Sequence, residues 1–276
     1  NTENPAATET IQFPAEGLNA SKKTRPGQKQ NKLDTYLPLA LPVSTLKGLN
    51  AAGQIKVAAF RVQGLTLNEV EIDLSAQQGK IALAPFNAQL YQGRLSSELT
   101  LDVTGATPAY NWRGTLHNMA LGTFLDAAWQ TTPLDGVLNA DFNLNTLGSN
   151  KQALTHNLQG SFNASASKGH VYGLGILGVT PLLSAQTSKS NDKMPFKSLL
   201  LKGNVRGGVY QTTEYQVEHN DLLGKGSGSL NLNNAVIDST LTLQAPNSAL
   251  LNSLKKGAVS LRYSGVLPNA QWTIEP

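Results

Sequence analysis

The 276-residue sequence has no cysteine, so no disulfide framework holds the chain together, and the absence alone does not separate one compartment from another. It is also short of charge: Asp, Glu, Lys and Arg make up 14% of it, against roughly 25% in average soluble domains. The polar surface is therefore built largely from Asn, Gln, Ser and Thr, a habit of exported β proteins. No stretch approaches the roughly 18 consecutive apolar residues of a membrane-spanning helix. The sequence opens Asn1-Thr2-Glu3, with neither Met nor a signal-like apolar core, and reads as a fragment or mature remnant.

Residue combinations that would carry catalysis are also missing. The four histidines, His117, His156, His170 and His219, are dispersed, with no pair at ligand spacing and no HExxH, so no metal is expected. No GxSxG elbow occurs, and the carboxylates form no evident acid and base pair. GLGILG at 173–178 fits GxGxxG, but the strand before it alternates with polar residues and Asp192 falls in a polar loop, so no dinucleotide is expected. GKGSG at 224–228 lacks the Lys-Ser/Thr ending of a phosphate loop and runs into a strand. The expectation is a chain that is not an enzyme and takes no cofactor.

The formal charge of +4 would suggest an anionic partner, but Lys22, Lys23, Arg25, Lys29 and Lys32 crowd near the start. That run lacks interleaved aromatics for base stacking, so nucleic acid is not expected. Residues 1–34 offer few large apolar side chains to offset the entropy of ordering and read as a flexible linker. Residues 35–276 read as one β domain.

What is present is alternation. Ile55, Val57 and Ala59, then Val70, Ile72, Leu74 and Ala76, then Leu95, Leu99, Leu101 and Val103 recur with period two. Turns at Gln77-Gln78-Gly79, Gln92-Gly93 and Gly207-Gly208 are too short for parallel crossovers. The spacing predicts a mainly β fold: an extended, curled antiparallel sheet of repeating-groove or half-barrel type, with short helices covering its ends or edges. Helices are predicted after Pro42 and at 122–129, 149–157, 176–185 and 246–256. Segments at about 53–105 and 195–245 form a weak internal repeat, in which GRLSSELTLD aligns with GKGSGSLNLN.

The alternation is sharpest in LDGVLNADFNLNTLG, where Leu134, Leu138, Ala140, Phe142 and Leu144 share one side of an extended chain. LQGSFNASAS adds Phe162 and Ala164, and a turn at Lys168-Gly169 then leads into HVYG. These seven residues are the candidate lining of an apolar groove.

The ordered series DGVLNADFNLNTLG, ALTHNLQGSFNASASKGHVYGLGI, PFKSLLLKGNVRGGVYQ and LLGKGSGSLNLNNAVIDSTLTL resembles the C-terminal region of the AsmA family over residues 37–267. The resemblance implies a Gram-negative envelope protein of the periplasm, tethered to the inner membrane by an N-terminal anchor, with a role in outer-membrane biogenesis. Larger relatives are regarded as bridge-like carriers of phospholipid. Two functions follow as alternatives. One is a module that binds or conducts phospholipid in an apolar groove; the other is an envelope assembly factor with a closed core, acting through protein partners.

Overall fold

Short turns fix the topology. The computed structural model describes residues 43–62, 64–173, 193–219, 222–244 and 258–275. The strands are β1 (Ala51–Val62), β2 (Leu65–Gln77), β3 (Lys80–Leu90), β4 (Gly93–Asp102), β5 (Ala109–Ala120), β6 (Val137–Leu147) and β7 (Gln159–Tyr172). They continue as β8 (Lys193–Arg206), β9 (Val209–His219), β10 (Leu222–Asn231), β11 (Val236–Gln244), β12 (Ala258–Val266) and β13 (Gln271–Glu275). All 13 form one sheet in strict sequence order, each antiparallel to the next, and the sheet does not close into a barrel. Three short helices accompany it: α1 (Val43–Lys47), α2 (Leu121–Trp129) and α3 (Lys151–His156).

The tight connections have the chemistry that hairpins demand. Gln78 and Gly79, Tyr91 and Gln92, and Gly207 and Gly208 all have positive φ, as the two central residues of a type I′ turn must. Longer connections at the strand ends carry α1 and α3. The Gln78 amide donates to Asn50 Oδ1 beside α1 at 3.3 Å. Helix α3 starts on a true cap, the Asn150 side chain accepting from the Ala153 amide at 2.9 Å.

Strict alternation is broken at three places, each marked by a non-glycine residue of positive φ: Glu69, Asn118 and Lys168. Across them, buried residues lie three apart instead of two: Leu67 and Val70, Leu116 and Met119, Ala166 and Gly169. Such irregularities add local twist and re-aim side chains. The flip at Glu69 alters the pattern expected in β1, because Ala59 stands opposite Asn68 whereas Phe60 stands opposite buried Leu67. It also corrects the turn expected at Lys168-Gly169: β7 runs straight through both residues, with Gly169 paired to Phe196 and Val171 to Met194. The expected strand containing Leu134 starts later, at Val137. Leu134 instead makes an isolated antiparallel bridge with Val171.

The expected linker at 1–34, the helices expected at 176–185 and 246–256, and GLGILG beyond Gly173 lie outside the described residues.

Candidate functional site

In an antiparallel sheet, directly opposed residues point to the same face. Following the partners from strand to strand therefore traces the surface of that face. One such line begins at Ala88 in β3 and passes through Leu95, Leu116, Ala140, Ala164 and Leu201. It continues through Tyr215, Gly226, Leu241 and Leu261 to Ile274 in β13. A second line runs from Gly53 in β1 through Leu74, Leu83, Leu99, Trp112 and Leu144. It proceeds through Gly160, Val205, Tyr210, Leu230 and Ile237 to Gly265 in β12. Neither line contains a charged residue. At about 4.8 Å per strand step, each apolar strip is on the order of 50 Å long.

The predicted residues fall together on this inner face. Leu138 pairs with Ala166, Ala140 with Ala164, Phe142 with Phe162 and Leu144 with Gly160. Phe142 meets Trp112 edge to face at 4.8 Å, across Gly114, where a Cβ would approach Ser97 Cβ to 2.5 Å. Leu138, Ala140, Phe142 and Ala164 are buried, while Leu134, Leu144 and Phe162 are partly buried against the same cluster. At the free edges the apolar surface stays open: Ile55 is 40% exposed, Phe60 51% and Ile274 49%.

Polar groups on the inner face are few. Ser97 is buried and donates to the Phe86 carbonyl at 3.0 Å. Burial pushes the Tyr215 phenol up to about 12, and that of Tyr210 likewise to about 12; Tyr210 donates to the Phe162 carbonyl at 3.2 Å. Tyr110 Oη, Trp112 Nε1 and Trp272 Nε1 are buried without an acceptor among the described residues.

Sequence reasoning placed α2 correctly as a helix but missed where it goes. It leaves β5 and lies against β2 as well as β5, so it crosses the inner faces of the intervening β3 and β4. Leu121 is buried in the main cluster, with Phe124 and Leu125 packed on it. Phe124 meets Tyr91 at 6.2 Å and Trp129 at 5.9 Å. Trp129 reaches the opposite wing of the sheet, among Leu230, Tyr263, Leu267 and Trp272. Thr131 hydrogen-bonds the Tyr263 hydroxyl. A helix that touches both wings requires the sheet to curl around it.

The return from α2 is tied down by Asp135. Its Oδ1 accepts from the His170 amide at 2.6 Å and lies 3.2 Å from His170 Nδ1; its Oδ2 accepts from the Tyr172 hydroxyl at 2.6 Å. Burial raises the carboxyl's pKa, but the hydrogen bonds from Tyr172 and His170 outweigh it and hold Asp135 below the usual value. Backbone bonds from Asp135 to His170 O and from Tyr172 to Pro133 O complete the tie. The sequence signal was an aspartate just before a glycine of φ +131°, Gly136, at the entry to a strand.

The outer face is polar. A shallow depression of about 360 Å³ is lined by Gln211, Ser227, Ser229, Asp238, Thr240 and Arg262, and another of about 390 Å³ by Asn87, Ser96, Glu98, Arg113 and Thr115. Their cations are already matched across the strands, Arg262 to Asp238 at 2.6 Å and Arg113 to Glu98 at 2.5 Å, which leaves little free charge to recognise an anion. Among the described residues no group of three or more His, Asp or Glu is placed to hold a metal, and no helix is long and apolar enough to cross a membrane.

The architecture defines a class: an open β-meander, curled around a short helix, with one continuous apolar face. The profile of the AsmA family matches residues 6–215, and the chain belongs to that family. It is similar to Protein AsmA of Escherichia coli (strain K12), 21% identical over 232 residues. That match takes in 80% of this chain and 38% of the relative, so the chain spans well under half of the relative's length. No solved structure matches it.

Proposed function

We propose that this chain is a lipid-handling module of a cell-envelope protein involved in outer-membrane biogenesis, binding or conducting phospholipid along the inner face of its sheet. In this reading the acyl chains lie on the apolar strips and the polar outer face meets the periplasm. The full-length protein is tethered to the inner membrane. One observation carries the proposal: the inner face is apolar without interruption across the sheet and remains exposed at both edges, where Ile55, Phe60 and Ile274 stand open. An ordinary core seals its edges; a conduit leaves them open.

A photoreactive residue placed at Ile55, Phe142 or outer-face Asn143 tests this with vesicles of phosphatidylethanolamine and phosphatidylglycerol. Irradiation is expected to attach lipid at Ile55 and Phe142 and to spare Asn143. Equal labelling at all three positions, or none, overturns the proposal.

The second reading is an assembly factor with a closed core, working through protein partners. It draws support from the burial of Leu138 and Phe142 and from α2 packed on the same face. The free edge of 12-residue β1 would then be the contact surface, offered for strand addition.

A further inference from the structure

We infer that the inner face between β2 and β5 is a cryptic acyl-chain site occupied by α2, and that the helix must swing off the sheet for lipid to enter there. The inference rests on the lipid-handling reading and adds the place of loading and the part that moves.

Position comes first. The helix lies over the middle of β3 and β4 and presents Leu121, Phe124 and Leu125 to the main apolar cluster. That is the chemistry of a lipid tail, supplied by the chain itself.

Its construction is that of a removable part. Nine residues are too few for a helix to be stable alone. Ala120 provides no side-chain cap, the first turn has no acid and the last turn has no base. The helix ends on Gln130 in the left-handed conformation at φ 55°, which glycine would adopt at less cost. Only Leu121 is fully buried. Shorter α3, by contrast, carries an Asn150 cap.

Its attachments are uneven in the same sense. The return arm is fixed to β7 by the Asp135, His170 and Tyr172 bonds, whereas the helix body is held chiefly by ring contacts of Phe124 and Trp129. Gly122 and Gly136 lie at its two ends, Gly136 at φ +131°. The helix can therefore leave while its return arm stays docked. Lipid and helix compete for one surface, so loosening the helix raises apparent lipid affinity by the gain in the open population.

The absence of cysteine makes the test clean. Nitroxide labels on Asp126→Cys and Asn111→Cys, both exposed, report the distance from α2 to β5 by pulsed electron paramagnetic resonance. Vesicles of phosphatidylethanolamine and phosphatidylglycerol serve as the lipid source, and native mass spectrometry counts bound lipid in the same samples. Bound lipid together with a new, longer distance is the expected result. The double variant Phe124→Ala/Trp129→Ala is expected to show the long distance without lipid and to bind about tenfold more. Phe124→Leu, which keeps most of the volume and loses the ring contact, takes its place if the double variant melts early. Bound lipid with an unchanged distance overturns the inference and leaves the lipid reading intact. No bound lipid in the parent and in the folded variants overturns both.

Discussion

Placing a carboxylate at Leu138 measures how dry the inner face is. Leu138 is 6% exposed and is flanked across the strands by Met119 and Ala166, both buried. An aspartate there would have no polar neighbour on either strand. Losing the leucine's burial costs about 2 kcal/mol. At pH 7 the new carboxyl escapes desolvation by staying protonated, which from an ordinary pKa near 4 costs about 4 kcal/mol more. The total, about 6 kcal/mol, is comparable to the whole stability of many domains. Burial raises the folded-state pKa, so the unfolded chain releases its proton first and stability falls as pH rises from about 4 toward the raised value. Urea denaturation of Leu138→Asp at pH 4.5 and 7.5 is therefore expected to show a loss of about 2 to 3 kcal/mol in acid, growing by about 3 more at the higher pH. Leu138→Asn, without the carboxyl, is expected to show no such growth. A loss under about 1 kcal/mol, equal at the two pH values, would refute the reasoning, because it would mean that water already reaches this position.

Gly160→Ala is expected to lower stability by at least about 2 kcal/mol in thermal melts, because Gly160 has φ +136° and its Cβ would lie 2.0 Å from the Asn143 carbonyl oxygen; Gly105→Ala, with nothing nearer than 3.7 Å, is the neutral control. The depressed carboxyl of Asp135 contributes stability that is present above the ordinary aspartate value and is lost as pH falls through its lowered one. Asp135→Asn should accordingly flatten the acid limb of a stability profile below about pH 4, and an unchanged limb would count against the tie. The raised phenols predict the opposite limb: stability falls as pH climbs from 10.0 toward about 12, and Tyr215→Phe makes that fall less steep.

Much of the fold is legible because period-two patterning and two-residue turns are local. The turn at Gln78-Gly79 and the helices at 122–129 and 149–157 follow from short stretches, and the facing of Leu138, Phe142 and Phe162 follows from parity alone. What parity cannot register is a flip. Glu69, Asn118 and Lys168 carry no glycine's licence for positive φ, so nothing in their identity announces that the face changes hands there, and Lys168-Gly169 looks like a turn for that reason. The path of α2 is equally invisible. Its apolar residues predict a helix, but whether that helix caps an edge or crosses the concave face depends on the curl of strands far from it in sequence, and Trp129 meets Tyr263 only once both wings exist.

The strictly sequential order of the strands also governs how the sheet assembles and how it can change over evolutionary time. Each strand has its partner immediately before or after it, so ladder contacts have low sequence separation, and pairing can proceed hairpin by hairpin as the chain becomes available, without waiting for a distant segment. Gaining or losing one hairpin would widen or narrow the apolar surface by about 9.5 Å without rethreading the remainder. Length is then a quantity such a chain can adjust in regular increments, with the distance to be bridged setting the number of strands.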